Sequence, residues 1–151
     1  MSIFLVQHGV SLSKEKDPEK GLSGKGMEQT NLIAGVAGNY KIPVKKIVHS
    51  GLKRAEQTAH IFKESLGLAQ PIQQIAGIKP MDDVAVFATT IDPGKNVMVV
   101  GHLPFMERLV SYLICKNKDH LVYKFQNSGI VCLEAENENW FIKWTLNPDI
   151  S

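Results

Sequence analysis

Apolar residues in this chain gather into short blocks that follow two different periods. Ile3-Phe4-Leu5-Val6 and Val97-Met98-Val99-Val100 are continuous runs, the second closed by Gly101. Runs rich in β-branched and aliphatic side chains and stopped by turn residues predict buried parallel strands. Val44 to His49, behind Pro43, predicts another strand, and Ile72 to Ile75 a short one. Leu52, Ala55, Ala59, Phe62 and Leu66 instead recur at helical steps, which predicts a helix with one buried stripe, N-capped by Ser50 and ended by Gly67. Phe105, Met106, Leu109, Val110 and Leu113 form a second such face, with Pro104 at the first helical position.

The remaining segments are less regular. Ser23 is expected to cap a helix over 24–38 with Met27, Leu32 and Ile33 on its apolar side, although its glycines weaken it. Ser11 to Gly21 is polar and charged around Pro18 and reads as a surface loop, and Asp82 to Thr90, after Pro80, as a short helix. Ser128 to Glu134 and Trp140 to Leu146 alternate loosely about Asn137-Glu138-Asn139, which predicts a hairpin. Strands alternating with helices predict an α/β fold.

Composition narrows this picture. The chain of 151 residues is expected to form one domain over 1–151, and a net charge of +2 with 21% charged residues excludes bulk attraction to nucleic acid or membranes. Cys115 and Cys132 lack CxxC spacing and are expected to be buried, reduced thiols of a cytoplasmic protein. No basic n-region precedes the first apolar run, so no signal peptide is expected, and no run has the length of a membrane span. His49, His60 and His120 have no second ligand at metal spacing, so no metal site is expected.

Candidate chemistry collects at the strand ends. His8 and Gly9 follow the first strand, His102 and Leu103 follow the strand over 97–101, and Arg54 lies in the first turn of the central helix, off its buried stripe. In open α/β sheets, ligands bind beyond the carboxyl ends of the strands. Two imidazoles, a guanidinium and a helix N-terminus at that edge would form a cradle for a phosphoryl group. A guanidinium fork matches phosphate oxygens, and a neutral histidine is a nucleophile toward phosphorus.

The motifs at these positions resemble those of the histidine phosphatase superfamily, also called phosphoglycerate-mutase-like. Leu5-Val6-Gln7-His8-Gly9 is similar to its Arg-His-Gly motif, and Leu22-Ser23-Gly24-Lys25-Gly26 to its Leu-Thr-x-x-Gly helix start. Ser50 to Ala59 matches a Ser-x-x-x-Arg-Ala-x-Gln-Thr-Ala block, and Gly101-His102-Leu103-Pro104 a Gly-His-x-Pro block. The small size is most similar to the SixA-type phosphohistidine phosphatases. The resemblance implies a three-layer α/β/α sandwich, its sheet mainly parallel with a C-terminal antiparallel hairpin. It implies His8 as nucleophile, with Arg54, His102, Gln7, Gly9 and the Leu103 N–H on the phosphate, and neither metal nor cofactor.

One residue departs from the pattern. Gln7 stands where the family places arginine, so a donor remains but a charge is lost. Lys14, Lys16, Lys20 and Lys25 are the cations that could restore it, unless they are simply solvated. The general acid is also open: Asp82 and Asp83 are candidates, and equally residues of a helix N-terminus. A site without an assured acid suits an imidazole leaving group, whose pKa near 6.5 lets it depart once protonated by solvent. The expected substrate is therefore a protein phosphohistidine. Small phosphomonoesters on the same site are the alternative, as is a degenerate domain that binds phosphate or phosphohistidine without turnover.

Overall fold

The computed structural model describes residues 1–149. Its centre is a six-stranded sheet in the order β3-β2-β4-β1-β5-β6. The strands are β1 (Ser2–Gln7), β2 (Lys46–His49), β3 (Gln73–Gln74), β4 (Val97–Gly101), β5 (Ile130–Glu136) and β6 (Asn139–Leu146). Pairings β2–β3, β2–β4 and β1–β4 are parallel, while β5 and β6 join antiparallel beside β1. The two apolar runs read from the sequence thus became adjacent central strands, with Gln7 opposite Gly101.

Helices cover both faces. Helices α1 (Gly24–Asn39) and α2 (Lys53–Leu66) lie on one side, packed on Phe4, Val6, Met98 and Val100. On the other side α3 (Val84–Ala88) and α4 (Phe105–Cys115) pack on Ile3, Leu5, Val99 and Val131. Successive side chains of a strand point to opposite faces, so a strand buried on both needs a continuous apolar run, as residues 3–6 of β1 and 97–100 of β4 supply. This is the three-layer α/β/α sandwich, mainly parallel with an antiparallel C-terminal hairpin.

Several local expectations are corrected. Ser50 does not cap α2; the helix starts at Lys53 with Leu52 at the N-cap position and no side-chain bond there, two residues beyond Ser50. Gly67 ends α2 in the left-handed conformation, φ 65°, as expected. Pro104 is the N-cap of α4 rather than its first helical residue. Asp83 caps α3 by accepting the Ala85 N–H, which shortens that helix to Val84–Ala88. Cys132 is buried but Cys115, at the end of α4, is exposed.

The largest correction concerns α1. Met27 and Leu32 are 43% and 56% exposed, and the buried face is made of Gly26, Thr30, Ile33, Ala34 and Ala37. Small residues let this helix press against the loop after β1. A Cβ on Gly26 would run into the Val10 carbonyl oxygen, and one on Gly9 would lie 2.7 Å from Thr30 Oγ1. Gly24 and Gly35, by contrast, have nothing within 4 Å of the place a Cβ would take. Gly26→Ala is therefore expected to destabilise the protein by about 1–3 kcal/mol through overpacking. Gly35→Ala should stabilise it by about 0.5–1 kcal/mol, since alanine is the better helix former. Urea denaturation midpoints read both; equal effects at the two positions would contradict this packing.

Candidate active site

The parallel register of β1 with β4 brings the two histidines together. The His8 N–H donates to Gly101 O at 3.0 Å, so the chain leaves β1 locked to the last residue of β4. Beyond that lock the rings of His8 and His102 stand 5.0 Å apart between centroids, tilted by 51°. From the first turn of α2, Arg54 Nε donates to His8 Nε2 at 3.3 Å. The three residues expected to act together are thus assembled at one sheet edge.

The state of His8 follows from its partners. Its Nδ1–H donates to the Gly9 carbonyl at 2.7 Å, which leaves Nε2 bare, with its lone pair toward Arg54. Burial pulls the His8 pKa down to about 4 against the opposing Gly9 carbonyl bond, with Arg54 and Lys20 lowering it further. The ring is a neutral imidazole at neutral pH. His102 is 2% exposed, and its pKa falls to about 3, first through burial and then through His8 and Arg54. Burial lowers the Arg54 pKa as well, but a guanidinium remains charged.

Neighbouring side chains hold the peptide geometry. Ser50 Oγ lies 2.6 Å from His102 Nε2 and accepts the Leu52 N–H at 3.3 Å, so one hydroxyl ties the end of β2 to the second histidine. Thr58 Oγ1 accepts the Gly9 N–H at 3.0 Å while donating to Arg54 O at 2.8 Å, joining the loop after β1 to the arginine helix. Gln57 Oε1 accepts the Leu22 N–H at 2.7 Å. Asn127 Nδ2 donates to His8 O at 2.9 Å, and the Ser128 N–H to Gln7 O at 2.9 Å. Sequence reasoning missed all of these roles. Gln57 and Thr58 stood inside a recognised motif, but Asn127 and Ser128 left no local signal, since their partners are more than a hundred positions away.

The other expected site residues divide. Gln7 is 8% exposed at the end of β1, on the α4 face with Ile3 and Leu5, and its Oε1 is buried without a partner. His102 Nδ1 is likewise buried and unpartnered. Such orphaned groups cost about 1–3 kcal/mol each and concentrate at functional sites. Leu103 is half-buried at the start of α4, and no hydrogen bond among the described residues engages its N–H. Asp82 and Asp83 are not joined to the histidines by any hydrogen bond among the described residues. Asp82 Oδ2 accepts the Lys79 N–H at 2.8 Å, and Asp83 caps α3. His49 accepts the Gly51 N–H, His60 faces Glu64 and His120 is exposed. Among the described residues no cluster of His, Cys, Asp and Glu has metal-binding geometry, and no helix is long and apolar enough to cross a membrane.

A doubly wound sheet here presents a bare imidazole, a guanidinium and a second buried imidazole together at its carboxyl edge, where open α/β sheets bind ligands. Comparison with known proteins gives this arrangement its family. The profile of the histidine phosphatase superfamily (branch 1) matches residues 3–83, and the chain belongs to this superfamily. It is 25% identical to phosphohistidine phosphatase SixA of Escherichia coli strain K12 over 154 residues, spanning 98% of this chain and 94% of that one. Among solved structures, that of the protein histidine phosphatase SixA complexed with tungstate superposes with a TM-score of 0.82 at 23% identity, covering 98% of this chain and 97% of the other. An alpha-ribazole phosphatase from Shigella flexneri superposes at 0.78 with 13% identity, covering 100% and 98%.

The lowered histidine pKa values tie stability to pH. The unfolded chain takes up protons near pH 6.5, whereas folded His8 and His102 resist them until about 4 and 3. Stability is therefore fully present above 6.5 and falls as pH drops from there through about 4 and 3, because the unfolded state binds more protons. Asp17 and Glu134, whose pKa values are lowered by Lys53 and Lys143, add their losses only below the ordinary carboxylate values of 3.8 and 4.5. Chemical denaturation at pH 7 and pH 5 should show the loss, and a His8→Gln, His102→Gln protein should lose less. An equal loss in both proteins would contradict the neutral-imidazole assignment.

Proposed function

We propose that this chain removes a phosphoryl group through a covalent intermediate on His8, and that its favoured substrate is a phosphohistidine of another protein. The observation that carries the reading is the His8 ring itself. Its Nδ1–H is held by the Gly9 carbonyl while the bare Nε2 faces Arg54. A neutral imidazole fixed in one tautomer is ready to attack phosphorus without first losing a proton.

The chemistry then follows from the surrounding groups. Nε2 of His8 forms a bond to phosphorus as the bond from phosphorus to the substrate nitrogen breaks. The leaving imidazole, protonated by solvent on its other ring nitrogen, departs neutral. Arg54 is placed to take the equatorial oxygens, with the start of α4 and His102 opposite; phosphoryl transfer depends mainly on such positioning and charge stabilisation. Water attacking in line releases phosphate and restores the bare Nε2. Side chains carry out every step, and the reading needs no metal or cofactor. Asp82 and Asp83 serve backbone caps, which leaves no assured proton donor for an alkoxide. That favours a P–N substrate, and the similarity to SixA points the same way. Gln7, uncharged, favours a second reading, a domain that binds phosphate or phosphohistidine without turnover.

His8→Ala should abolish both turnover and the phosphoenzyme, whereas His102→Ala should lower turnover by about 10²–10³, the usual cost of one charge-stabilising donor. Phosphate release by purified His8→Ala protein at the wild-type rate would exclude the mechanism. A stable phosphoryl label on wild-type His8 without phosphate release would select the binding domain.

Substrate preference gives an independent check. Turnover should rank phosphohistidine peptides above aryl phosphates and those above alkyl phosphates, following leaving-group basicity. Steady-state kinetics with a sugar phosphate as best substrate would replace the reading with a phosphomonoesterase.

A further inference from the structure

The site as assembled holds less charge than its ligand. His8 and His102 are neutral and Gln7 carries no charge, so among the described residues Arg54 is the only cation bonded within the constellation. A phosphoryl dianion in a partly buried pocket calls for more than one positive group.

The polar loop after β1 is built to supply it. Its ends are stitched by the Ser11–Leu22 bridge, by the Leu12 N–H on Gly21 O at 2.8 Å, and by the Ser23 N–H on Val10 O at 2.9 Å. Its middle is latched to α2, where Lys53 Nζ bonds Asp17 Oδ2 at 2.8 Å. The same carboxylate accepts the Gly21 N–H at 2.9 Å, and Asp17 O accepts the Lys20 N–H at 2.9 Å. Gly21 is pressed onto the turn that carries Arg54: a Cβ there would lie 2.8 Å from Lys53 Cε and 3.0 Å from Gln57 Oε1.

These latches sort the lysines. Lys53, beside Arg54 in sequence, is neutralised by Asp17. Lys14, Lys16 and Lys25 are exposed. Lys20 is half-buried, lies one residue from the Gly21 contact, and has no acidic or hydrogen-bonding side-chain partner among the described residues. Its backbone is held at φ 53°, a left-handed conformation that disfavours a residue with a Cβ, so the Asp17 clamp fixes it against its own preference. Its charge is felt at His8, whose ring it helps keep neutral.

We propose that Lys20 is a phosphate-binding residue of this site, supplying from the loop the second positive charge that Gln7 does not bring. The assignment rests on the phosphatase reading of the site. It also makes Lys20 and the charge introduced by Gln7→Arg interchangeable, a relation that a purely structural loop residue would not have.

A double-mutant cycle on inorganic phosphate binding, measured by calorimetry at fixed ionic strength, tests this. Lys20→Met should weaken phosphate binding about tenfold, the scale of one charge-assisted bond, and Lys20→Arg should retain it. Lys20→Gly removes the same charge while relieving the left-handed backbone, so it should lose the affinity without losing stability. Gln7→Arg should change affinity less than about twofold in the wild-type background but restore about tenfold in Lys20→Met. Wild-type affinity in both Lys20→Met and Lys20→Gly overturns the assignment, as does a Gln7→Arg effect of equal size in both backgrounds. Failure of the wild-type protein to bind phosphate at all overturns the phosphatase reading itself, and the role of Lys20 with it.

Discussion

The parallel pairing of β1 with β4 is the constraint on which the site depends. Each strand, buried on both faces, is fixed in register by apolar packing from α1 and α2 on one side and α4 on the other. A slip of one residue would turn every side chain to the opposite face. In the observed register Gln7 is opposite Gly101, so both chains leave the sheet at the same level and deliver His8 and His102 to one place. The hydrophobic core thus sets the distance between two polar rings that lie beyond its edge.

A second layer of polar bonds converts that proximity into a defined chemical state. Thr58 couples the Gly9 peptide to α2, Ser50 couples β2 to His102, and Asn127 with Ser128 clamp the backbone of His8 and Gln7 from the loop before β5. Helix α2 and the loop before β5 therefore converge on the turn after β1, while β2 holds the second histidine beside it. The Gly9 carbonyl, held in place by this network, fixes the His8 tautomer. Burial then keeps both imidazoles neutral, and Arg54 brings a positive charge beside them. The positive charge and the unprotonated ring nitrogen thus belong to different residues, Arg54 and His8, which lie within hydrogen-bond distance.

Much of this was legible in the sequence because it rests on local periodicity. The continuous runs of β1 and β4 and the helical spacing of Phe105 to Leu113 announce burial directly, and Arg54 follows from the start of α2. Other features were hidden for physical reasons. Helix α1 buries Gly26, Thr30, Ala34 and Ala37, small residues chosen for close approach rather than hydrophobicity, so its exposed Met27 and Leu32 gave the wrong face. Ser50 has the composition of an N-cap, but α2 starts at Lys53, with its N-cap position two residues beyond Ser50, and the Ser50 hydroxyl bonds His102. Asn127 and Ser128 act only through long-range bonds to the peptide flanking His8, and no spacing within their own segment marks that.

The central claim is that the Gly9 carbonyl fixes the His8 tautomer and so selects the reacting nitrogen. The most direct measurement is nitrogen and phosphorus NMR of the protein labelled at histidine, before and after reaction with a small phosphoramidate donor. The free protein should show His8 protonated on Nδ1, and the phosphorylated protein should carry its phosphoryl group on Nε2 of the same ring. A phosphoryl group on Nδ1, or on another residue, would contradict the account.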